Sequence, residues 1–315
     1  MNVPTNAISV RDLTRRFGAF VAVDRLTFDV RQGEIFGFLG SNGAGKSTTI
    51  RMLCGLLAPT SGTATVGGVD VMRDPESVKR RIGYMSQRFS LYEQLTVDQN
   101  IRFFAGIYGL TGARLEERRR FAIEMAGLDD RQGTRAVDLA GGWRQRLALG
   151  CAILHEPAIV FLDEPTGGVD PISRRQFWRL IDQLSASGVT VLVTTHYLDE
   201  AEHCHRLAII HAGRLAAIGS TSELKHVFAD RAIVEIQAPN PVETMRTLDR
   251  LPEVEKTSLF GTAVHAVLKS AHPEAVSALQ QALAAAGVSS PAINLVQPSL
   301  EDVFLDVVDG QEAHA

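Results

Sequence analysis

Residues 40–48 read GSNGAGKST, and this stretch decides the fold. It satisfies the pattern G-x-x-x-x-G-K-[ST], follows the apolar run EIFGFL and opens the segment TTIRMLCGLL, whose apolar residues recur at helical spacing. Between a strand and a helix, such a loop lets consecutive backbone amides converge on phosphate oxygens at a helix N-terminus. Lys46 would add a mobile charge at the phosphates, and Ser47 would offer its hydroxyl to Mg²⁺. A fortuitous glycine-rich turn would need neither flanking element, so the sequence predicts a nucleotide phosphate site.

Two further strands carry polar residues at their carboxyl ends. The run AIVFLDEP ends in Asp163 and Glu164, and the run VTVLVTTH ends in His196. Open α/β sheets bind ligands at the carboxyl ends of their strands. Asp163 is suited to holding Mg²⁺, and Glu164 is suited to acting as general base on an attacking water. Two adjacent carboxylates near phosphates require a cation, so the pattern implies Mg²⁺.

Composition sets broad limits on the kind of protein. The 315 residues are 45% hydrophobic and 22% charged, with a formal net charge of -4. No global basic field is present to attract nucleic acid. We find no apolar run of the roughly 18 residues that a membrane-spanning helix needs, and no apolar secretory signal at the start. Cys54, Cys151 and Cys204 lack paired spacing, so we expect a reducing, cytoplasmic setting and no metal cluster.

The chain divides near Leu224 into two parts of different pattern. Strand, long helix and strand alternate in residues 1–224, as in a parallel α/β sheet, and the stretch at about 88–151 has a largely helical pattern. In residues 225–315 the predicted order is strand–helix–strand–strand–helix–strand, followed by a last helix with Ser299 as N-cap. We therefore predict a small ferredoxin-like α/β domain at the carboxyl end.

The segment LAGGWRQRL at residues 139–147 lies just upstream of the Asp163 strand. Together with the phosphate loop, the Asp-Glu strand end and His196, in this order, it closely resembles the ATP-binding subunit of an ABC transporter over residues 1 to about 222. The resemblance implies a P-loop ATPase core of ABC type with an antiparallel β subdomain and a helical subdomain at about 88–151. It also implies ATP as substrate, Mg²⁺ as cofactor and closure of two subunits, head to tail, over two ATP molecules.

The resemblance assigns roles to residues by position. Phe17 resembles the aromatic that stacks on adenine, Gln87 the glutamine that touches Mg²⁺ or water, and Asp170 a residue of the D-loop. Glu164 and His196 resemble the catalytic glutamate and the switch histidine. The implied nucleotide loop consists of Gly40, Ser41, Asn42, Gly43, Ala44, Gly45, Lys46, Ser47 and Thr48. The implied Mg²⁺ ligands are Ser47, Gln87 and Asp163, and the signature residues that face the partner's ATP are Ala140, Gly141 and Gly142.

The sequence departs from the family pattern in the signature and in the phosphate loop. Ala140 and Trp143 replace the usual Ser and Gln of Leu-Ser-Gly-Gly-Gln. Loss of the serine hydroxyl removes a hydrogen bond to a charged group, typically worth about 1.5–3 kcal/mol. Because the glycine amides, Glu164 and His196 remain, we expect hydrolysis to persist. Ser41 replaces the usual Pro, which should matter little because that position contributes backbone.

The carboxyl-terminal part, ending QPSLEDVFLDVV, resembles the extension of ATPases from the exporter branch that moves drugs, polysaccharides or similar cargo. The resemblance implies a separately encoded membrane permease, efflux, and a peripheral position on the cytoplasmic face of the inner membrane. A soluble ABC-type ATPase acting on the ribosome or DNA, and a nucleotide sensor without turnover, are the alternatives. The single phosphate loop and the short distance between the motifs favour the exporter over the ribosome- or DNA-acting protein, and Glu164 and His196 disfavour the sensor. We expect a homodimer on ATP binding, with a heterodimer as the open alternative, and no nucleic acid partner.

Two other patterns have structural interpretations. Residues 202–205 read EHCH, but on a predicted helix His203 and His205 would point apart, which disfavours a metal site. The basic runs 79–81 and 118–120 are neighboured by acidic residues, so we interpret them as solvated helix faces. Phe177 and Trp178 are expected to pack their helix against the sheet.

Overall fold

The computed structural model describes residues 6–87, 91–270, 273–285 and 292–312. The chain forms two compact units, Met1–Ser220 and Thr221–Ala315. The sequence pattern places the boundary slightly later, after Leu224. Within the described residues, no helix has the length and apolar character needed to cross a membrane.

The first unit alternates strands and helices. In chain order its elements are β1 (Asn6–Phe17), β2 (Phe20–Arg31), β3 (Ile35–Leu39), α1 (Lys46–Leu53), β4 (Ser61–Val66), β5 (Val69–Asp70), α2 (Pro75–Arg81), β6 (Ile82–Met85), α3 (Val97–Ile107), α4 (Gly112–Ala126), α5 (Gly141–Ala152), β7 (Ile159–Asp163), α6 (Pro171–Ala186), β8 (Thr190–Thr195), α7 (Leu198–Ala201), β9 (Arg206–His211) and β10 (Arg214–Gly219).

Two sheets build this unit. The antiparallel sheet has the order β2-β1-β4-β5, and the central sheet has the order β10-β9-β3-β8-β7-β6. Strands β9, β3, β8, β7 and β6 run parallel, and β10 pairs antiparallel at the edge. Every residue of β3, β7 and β8 is buried, which fits strands covered on both faces. The carboxyl ends of these three strands therefore meet at one edge of the sheet, where the predicted site residues follow them.

Helix α6 packs against the central sheet as predicted. Phe177 and Trp178 are 0% and 1% exposed, and the Trp178 ring stacks on His203 at 4.9 Å. Helices α3, α4 and α5 fill most of the segment that the sequence assigns to a helical subdomain. Helix α1 ends at Leu53, earlier than the apolar spacing predicts, and Gly55 follows with a left-handed φ of 67°.

Two sequence predictions in this unit are wrong, the first of them at a single residue of the basic runs. Arg118 is buried rather than solvated, because its guanidinium donates to the carbonyls of Ile153 and Leu154, just beyond the end of α5. Residues 202–205 are not helical, because α7 ends at Ala201. The His205 ring accepts a hydrogen bond from the Ile35 amide at 2.9 Å.

The second unit contains α8 (Thr221–Lys225), β11 (Ala232–Gln237), α9 (Pro241–Leu248), β12 (Val254–Phe260), β13 (Ala263–Leu268), α10 (Pro273–Ala285), β14 (Ala292–Val296) and α11 (Leu300–Glu312). Its sheet has the order β12-β13-β11-β14 with every neighbouring pair antiparallel. This is the strand order of the predicted ferredoxin-like arrangement. Ser299 caps α11 as predicted, since its Oγ accepts from the Asp302 amide at 3.1 Å.

Polar contacts hold α11 to the sheet of the second unit. Asp302 lies 2.9 Å from Nδ1 of the buried His265 on β13. Asp306 accepts from Arg231 at 2.8 Å and lies 2.7 Å from Lys256 Nζ. The last helix is thus fixed by charge and hydrogen bonding in addition to the apolar contacts of Leu300 and Val303.

Candidate functional site: a glycine-rich loop beside Glu164 and His196

The loop between β3 and α1 requires glycine at defined positions. Gly45 is the N-cap of α1 with φ 102°, and a Cβ there would lie 2.6 Å from the Ala22 carbonyl oxygen. At Gly40 a Cβ would lie 2.3 Å from the Ile210 carbonyl oxygen. The loop therefore packs its backbone tightly against the protein on one side. The first amides of α1 have no intrahelical acceptor by helix geometry, so the loop ends in free donors suited to phosphate oxygens.

Lys46 is buried, at 4% exposure, and lies over its own loop. Its Nζ donates to the carbonyls of Gly40 at 2.7 Å and Ser41 at 3.0 Å, and lies 3.5 Å from Glu164 Oε1. Burial lowers the pKa of Lys46, and the charges of Glu164 and Asp163 oppose this effect. The ammonium group is thus desolvated and held at the mouth of the loop, where a phosphate oxygen would be a stronger partner than a carbonyl.

Asp163 and Ser47 form the second part of the site. Asp163 is 1% exposed, and its Oδ1 accepts from Ser47 Oγ at 2.9 Å and from Thr194 Oγ1 at 2.8 Å. Mg²⁺ takes oxygen ligands at about 2.0–2.1 Å in an octahedron, so adjacent ligands are about 2.9 Å apart. The hydroxyl and carboxylate oxygens already have this spacing, so these two residues fit the ion that the sequence implies.

Glu164 contacts more of the predicted site residues than a single strand end would supply. Its backbone has φ 47°, the left-handed region, and its amide donates to Thr194 Oγ1 at 2.9 Å. Oε2 accepts from Gln87 Nε2 at 3.0 Å and lies 3.5 Å from His196 Nδ1. Strained backbone of this kind persists where the surroundings fix it, typically at functional sites. Through this hydrogen bond Gln87 contacts Glu164, and not Ser47 or Asp163, the two other residues implied as Mg²⁺ ligands.

The aromatic position at the β1–β2 turn contains two rings. Phe17 is 47% exposed, and the Arg15 guanidinium lies 4.5 Å from its centroid. Phe20, its partner in the strand register, is 64% exposed and is missing from the sequence-based set of site residues. Directly opposed residues of an antiparallel pair share one face. The presence of a phenylalanine on each side of the Gly18 turn is the sequence feature from which Phe20 could have been identified.

The residues that the resemblance assigns to the signature and to the D-loop lie at the starts of two helices. Ala140 is the N-cap of α5 and has no side chain to cap it, whereas Asp170 caps α6 by accepting from the amides of Ile172 and Ser173. Ala140 and Gly141 are exposed, and Gly142 is buried so close to Ser173 that a Cβ would lie 2.4 Å from its Oγ. The hydrogen bonds described above around Lys46, Asp163 and Glu164 include none of residues 140–142.

Thr194, which bonds both Asp163 and Glu164, was not singled out from the sequence, because the apolar pattern of its strand does not distinguish it from its neighbours.

Comparison with known proteins shows the family to which the chain belongs. A family model described as ABC transporter matches residues 23–167, and a model described as ATP-binding protein DrrA1-3-like, C-terminal domain, matches residues 219–308. A solved structure of an ATP binding subunit of an ABC transporter is 32% identical, with a TM-score of 0.65 over 71% of this chain and 94% of its own.

Two curated relatives differ in how much of their length is shared. The daunorubicin/doxorubicin resistance ATP-binding protein DrrA of Streptomyces peucetius is 38% identical and is matched over 96% of this chain and 92% of its own. The probable multidrug ABC transporter ATP-binding protein YbhF of Escherichia coli (strain K12) is 50% identical over 69% of this chain, which spans 38% of that relative's length. The chain therefore belongs to the ABC transporter ATP-binding proteins. The predicted family and its ATPase fold are confirmed.

Proposed function

We propose that this protein hydrolyses ATP with Mg²⁺ and that the cycle drives export of a drug-like cargo through a separately encoded membrane permease. The observation that carries the proposal is the convergence of Lys46, Gln87 and His196 on the two carboxylate oxygens of Glu164, beside Ser47 and Asp163. Phosphoryl transfer needs positioning and charge stabilisation more than covalent chemistry, and this cluster offers both.

Each side chain has a role that follows from its place. Lys46 exchanges its contacts with the Gly40 and Ser41 carbonyls for phosphate oxygens, and the amides at the start of α1 bind the remaining ones. Ser47 and Asp163 would hold Mg²⁺, which when bound neutralises phosphate charge. Glu164 accepts the proton of the attacking water, and His196 orients Glu164 from 3.5 Å away. Phe17 stacks on the adenine ring.

We infer that two copies close over ATP. Ala140 and Gly141 are exposed at the start of α5, so backbone amides there are available to a phosphate bound by another copy. Asp170, at the start of α6, has its carboxylate engaged as a cap, so its role in closure would be to fix that loop. In a single copy, the phosphate shell opposite the loop would be left to water.

An exposed aromatic patch supports a membrane partner. Tyr92 and Phe103 are 49% and 40% exposed and pack edge to face at 4.5 Å, and Ile107 is 62% exposed one turn further along α3. Surface apolar clusters of this kind mark protein contacts. Tyr92, the first residue of the patch, follows Gln87 by five positions, and Gln87 contacts Glu164. A permease bound to the patch would therefore contact a segment that is joined to the site by a short stretch of chain. We propose that the permease binds this patch and holds the protein at the cytoplasmic face of the membrane.

Capture of the permease tests this function against the ribosome- or DNA-acting alternative. Tagged Glu164→Gln protein is incubated with detergent-solubilised native membranes and Mg-ATP, and the chains that co-purify are identified by mass spectrometry. Lys46→Ala, which should not bind nucleotide, is the control. We expect a multi-span integral protein at comparable abundance, absent with Lys46→Ala. Recovery of ribosomal or DNA-bound material without a membrane chain would contradict the proposal.

A further inference from the structure

A buried carboxylate outside the site described above is bonded to the segments that carry Glu164 and His196. Glu200 in α7 is 1% exposed. A buried charge is costly unless hydrogen bonds and an opposite charge satisfy it. Glu200 has both: its two carboxylate oxygens accept from the hydroxyls of Thr166 and Thr195, and the Arg174 guanidinium lies 3.3 Å from Oε1.

Each of these partners belongs to a segment that carries a site residue. Thr166 follows Glu164 by two positions, and Thr195 immediately precedes His196. Arg174 lies in α6, and its amide donates to the carbonyl of the capping residue Asp170 at 3.0 Å. One carboxylate therefore ties together the loops after β7 and β8 and the start of α6.

A short series of contacts connects Glu200 to the His196 ring. The Thr195 hydroxyl, which donates to Glu200 at 2.7 Å, also accepts from the Tyr197 amide at 2.9 Å. The Arg174 guanidinium lies 4.2 Å from the centroid of the Tyr197 ring, and that ring lies 4.1 Å from the His196 ring. Both the backbone after His196 and the side chain next to it are thus held by the Glu200 group.

We infer that Glu200 is a positioning residue that fixes the distance between Glu164 and His196. The inference rests on the proposed function for its consequence in turnover, and on the contacts alone for its consequence in structure. Removal of the charge should loosen the backbone at Tyr197 and lower kcat. Nucleotide affinity should be retained, because neither α1 nor Lys46 contacts Glu200 through these bonds.

Glu34 supplies a matched control. It is also buried, at 6% exposure, and is paired with an arginine, since Arg206 Nη1 lies 3.3 Å from Oε1. It precedes β3 at the amino end, whereas the phosphate loop follows the carboxyl end. Glu34→Gln therefore removes the same kind of buried ion pair at the opposite end of the sheet from the site.

The experiment compares Glu200→Gln, Thr195→Val and Glu34→Gln with wild type. Hydrogen exchange of the Tyr197 amide is measured without nucleotide, and kcat, KM and the Kd of a fluorescent ATP analogue are measured with Mg²⁺. In Glu200→Gln and Thr195→Val we expect Tyr197 exchange to rise about tenfold as local opening increases. Misplacement of catalytic groups by an ångström can lower rates by about 10²-fold, so we expect kcat to fall by about 10- to 100-fold with Kd unchanged within about twofold.

The outcomes separate this inference from the proposed function. Unchanged Tyr197 exchange in Glu200→Gln would overturn the inference, as would an equal loss of kcat in Glu34→Gln. Faster Tyr197 exchange in a protein whose wild type shows no ATP turnover would contradict the proposed function and leave the positioning of the loop by Glu200 supported. Thr195→Val replaces the hydroxyl that bonds Glu200 with a methyl group of similar size, so it keeps the test available if Glu200→Gln does not fold.

Discussion

Glu164 and His196 face each other across the carboxyl ends of β7 and β8, with 3.5 Å between Oε2 and Nδ1. The parallel register pairs Asp163 with Thr194, which sets the two residues just beyond the sheet on the same edge. Glu164 also contacts Lys46 through its other oxygen. A carboxylate held between a lysine, a glutamine and a histidine is oriented before any water arrives.

Removal of the Ser47 hydroxyl should weaken the response to Mg²⁺. Ser47→Ala leaves Asp163 with Thr194 as its remaining described hydroxyl donor and deprives the ion of one oxygen. Even outer partners of metal ligands change affinity by about 10- to 100-fold, so we expect the Mg²⁺ concentration for half-maximal ATP turnover to rise at least about tenfold. Chelation of Mg²⁺ should abolish turnover of the wild type. A Mg²⁺ titration identical to that of wild type would contradict the assignment.

The two aromatic rings at the β1–β2 turn should differ in their effect on ATP binding. Stacking of a base on an aromatic side chain is worth about 1–3 kcal/mol, so Phe17→Ala should raise the Kd for ATP by about tenfold or more. Phe20→Ala is the matched control, with the more exposed ring of the pair. Equilibrium binding of a fluorescent ATP analogue measures both. A larger loss in Phe20→Ala would transfer the adenine contact to the residue that sequence reasoning did not select.

A serine at the start of α5 should stabilise the helix and the closed dimer. Ala140 has extended backbone angles, φ -62° and ψ 153°, and has no side-chain cap. A serine N-cap is worth about 0.5–2 kcal/mol, so Ala140→Ser should raise the urea midpoint followed by Trp143 and Trp178 fluorescence.

The dimer is measured separately, in the Glu164→Gln background with Mg-ATP, by size-exclusion chromatography. A hydroxyl bonded to a charged phosphate contributes about 1.5–3 kcal/mol, so the closed dimer should form at lower protein concentration. If the urea midpoint rises while dimerisation does not change, Ala140 does not face the partner's nucleotide.

Acid should weaken the attachment of α11 through Asp306. Burial raises the pKa of this carboxyl, but the hydrogen bonds and charges of Arg231 and Lys256 outweigh it and leave the pKa below its ordinary value of 3.8. A lowered pKa in the folded state means that the stabilisation is present above about pH 4 and is lost as the pH falls through the folded-state value. Asp306→Asn should therefore destabilise the second unit at neutral pH and differ less from wild type below about pH 4.

Hydrogen exchange at β13, corrected for the intrinsic rate at each pH, measures this difference. The control is Asp309→Asn, because Asp309 is 61% exposed and lies 3.6 Å from Lys256. We expect that control to change exchange little at any pH. A difference between Asp306→Asn and wild type that stays constant from neutral to acid pH would contradict a role for the ionised carboxylate.

The parts of the site that sequence could predict are those that are local in the chain. The phosphate loop, the Asp163–Glu164 strand end and His196 each depend on a short motif next to a recognisable strand. Contacts between distant segments could not be predicted in this way. The carbonyls that accept hydrogen bonds from the buried Arg118, and the hydroxyls that donate to the buried Glu200, come from elements that only the folded chain brings together.

The fold likewise has features that the local sequence predicts and features that it does not. The strand order of the second unit follows from the succession of short elements, which the apolar pattern predicts well. The end of α1 could not be predicted from the apolar pattern, because TTIRMLCGLL keeps its helical spacing after Leu53. The helix ends there because Gly55 adopts a left-handed backbone conformation. Phe20 was missed for a related reason, since its exposure depends on strand pairing with Phe17.

The most direct test of the central claim is phosphate release by the purified protein with Mg-ATP, compared with Glu164→Gln, in the absence and presence of its membrane partner. A general base contributes about 10²–10⁴-fold to a rate, so we predict turnover in wild type that falls by at least about 10²-fold in Glu164→Gln while ATP binding is retained. Turnover no higher in wild type than in Glu164→Gln, in both conditions, would contradict the assignment of an ATPase site at Glu164.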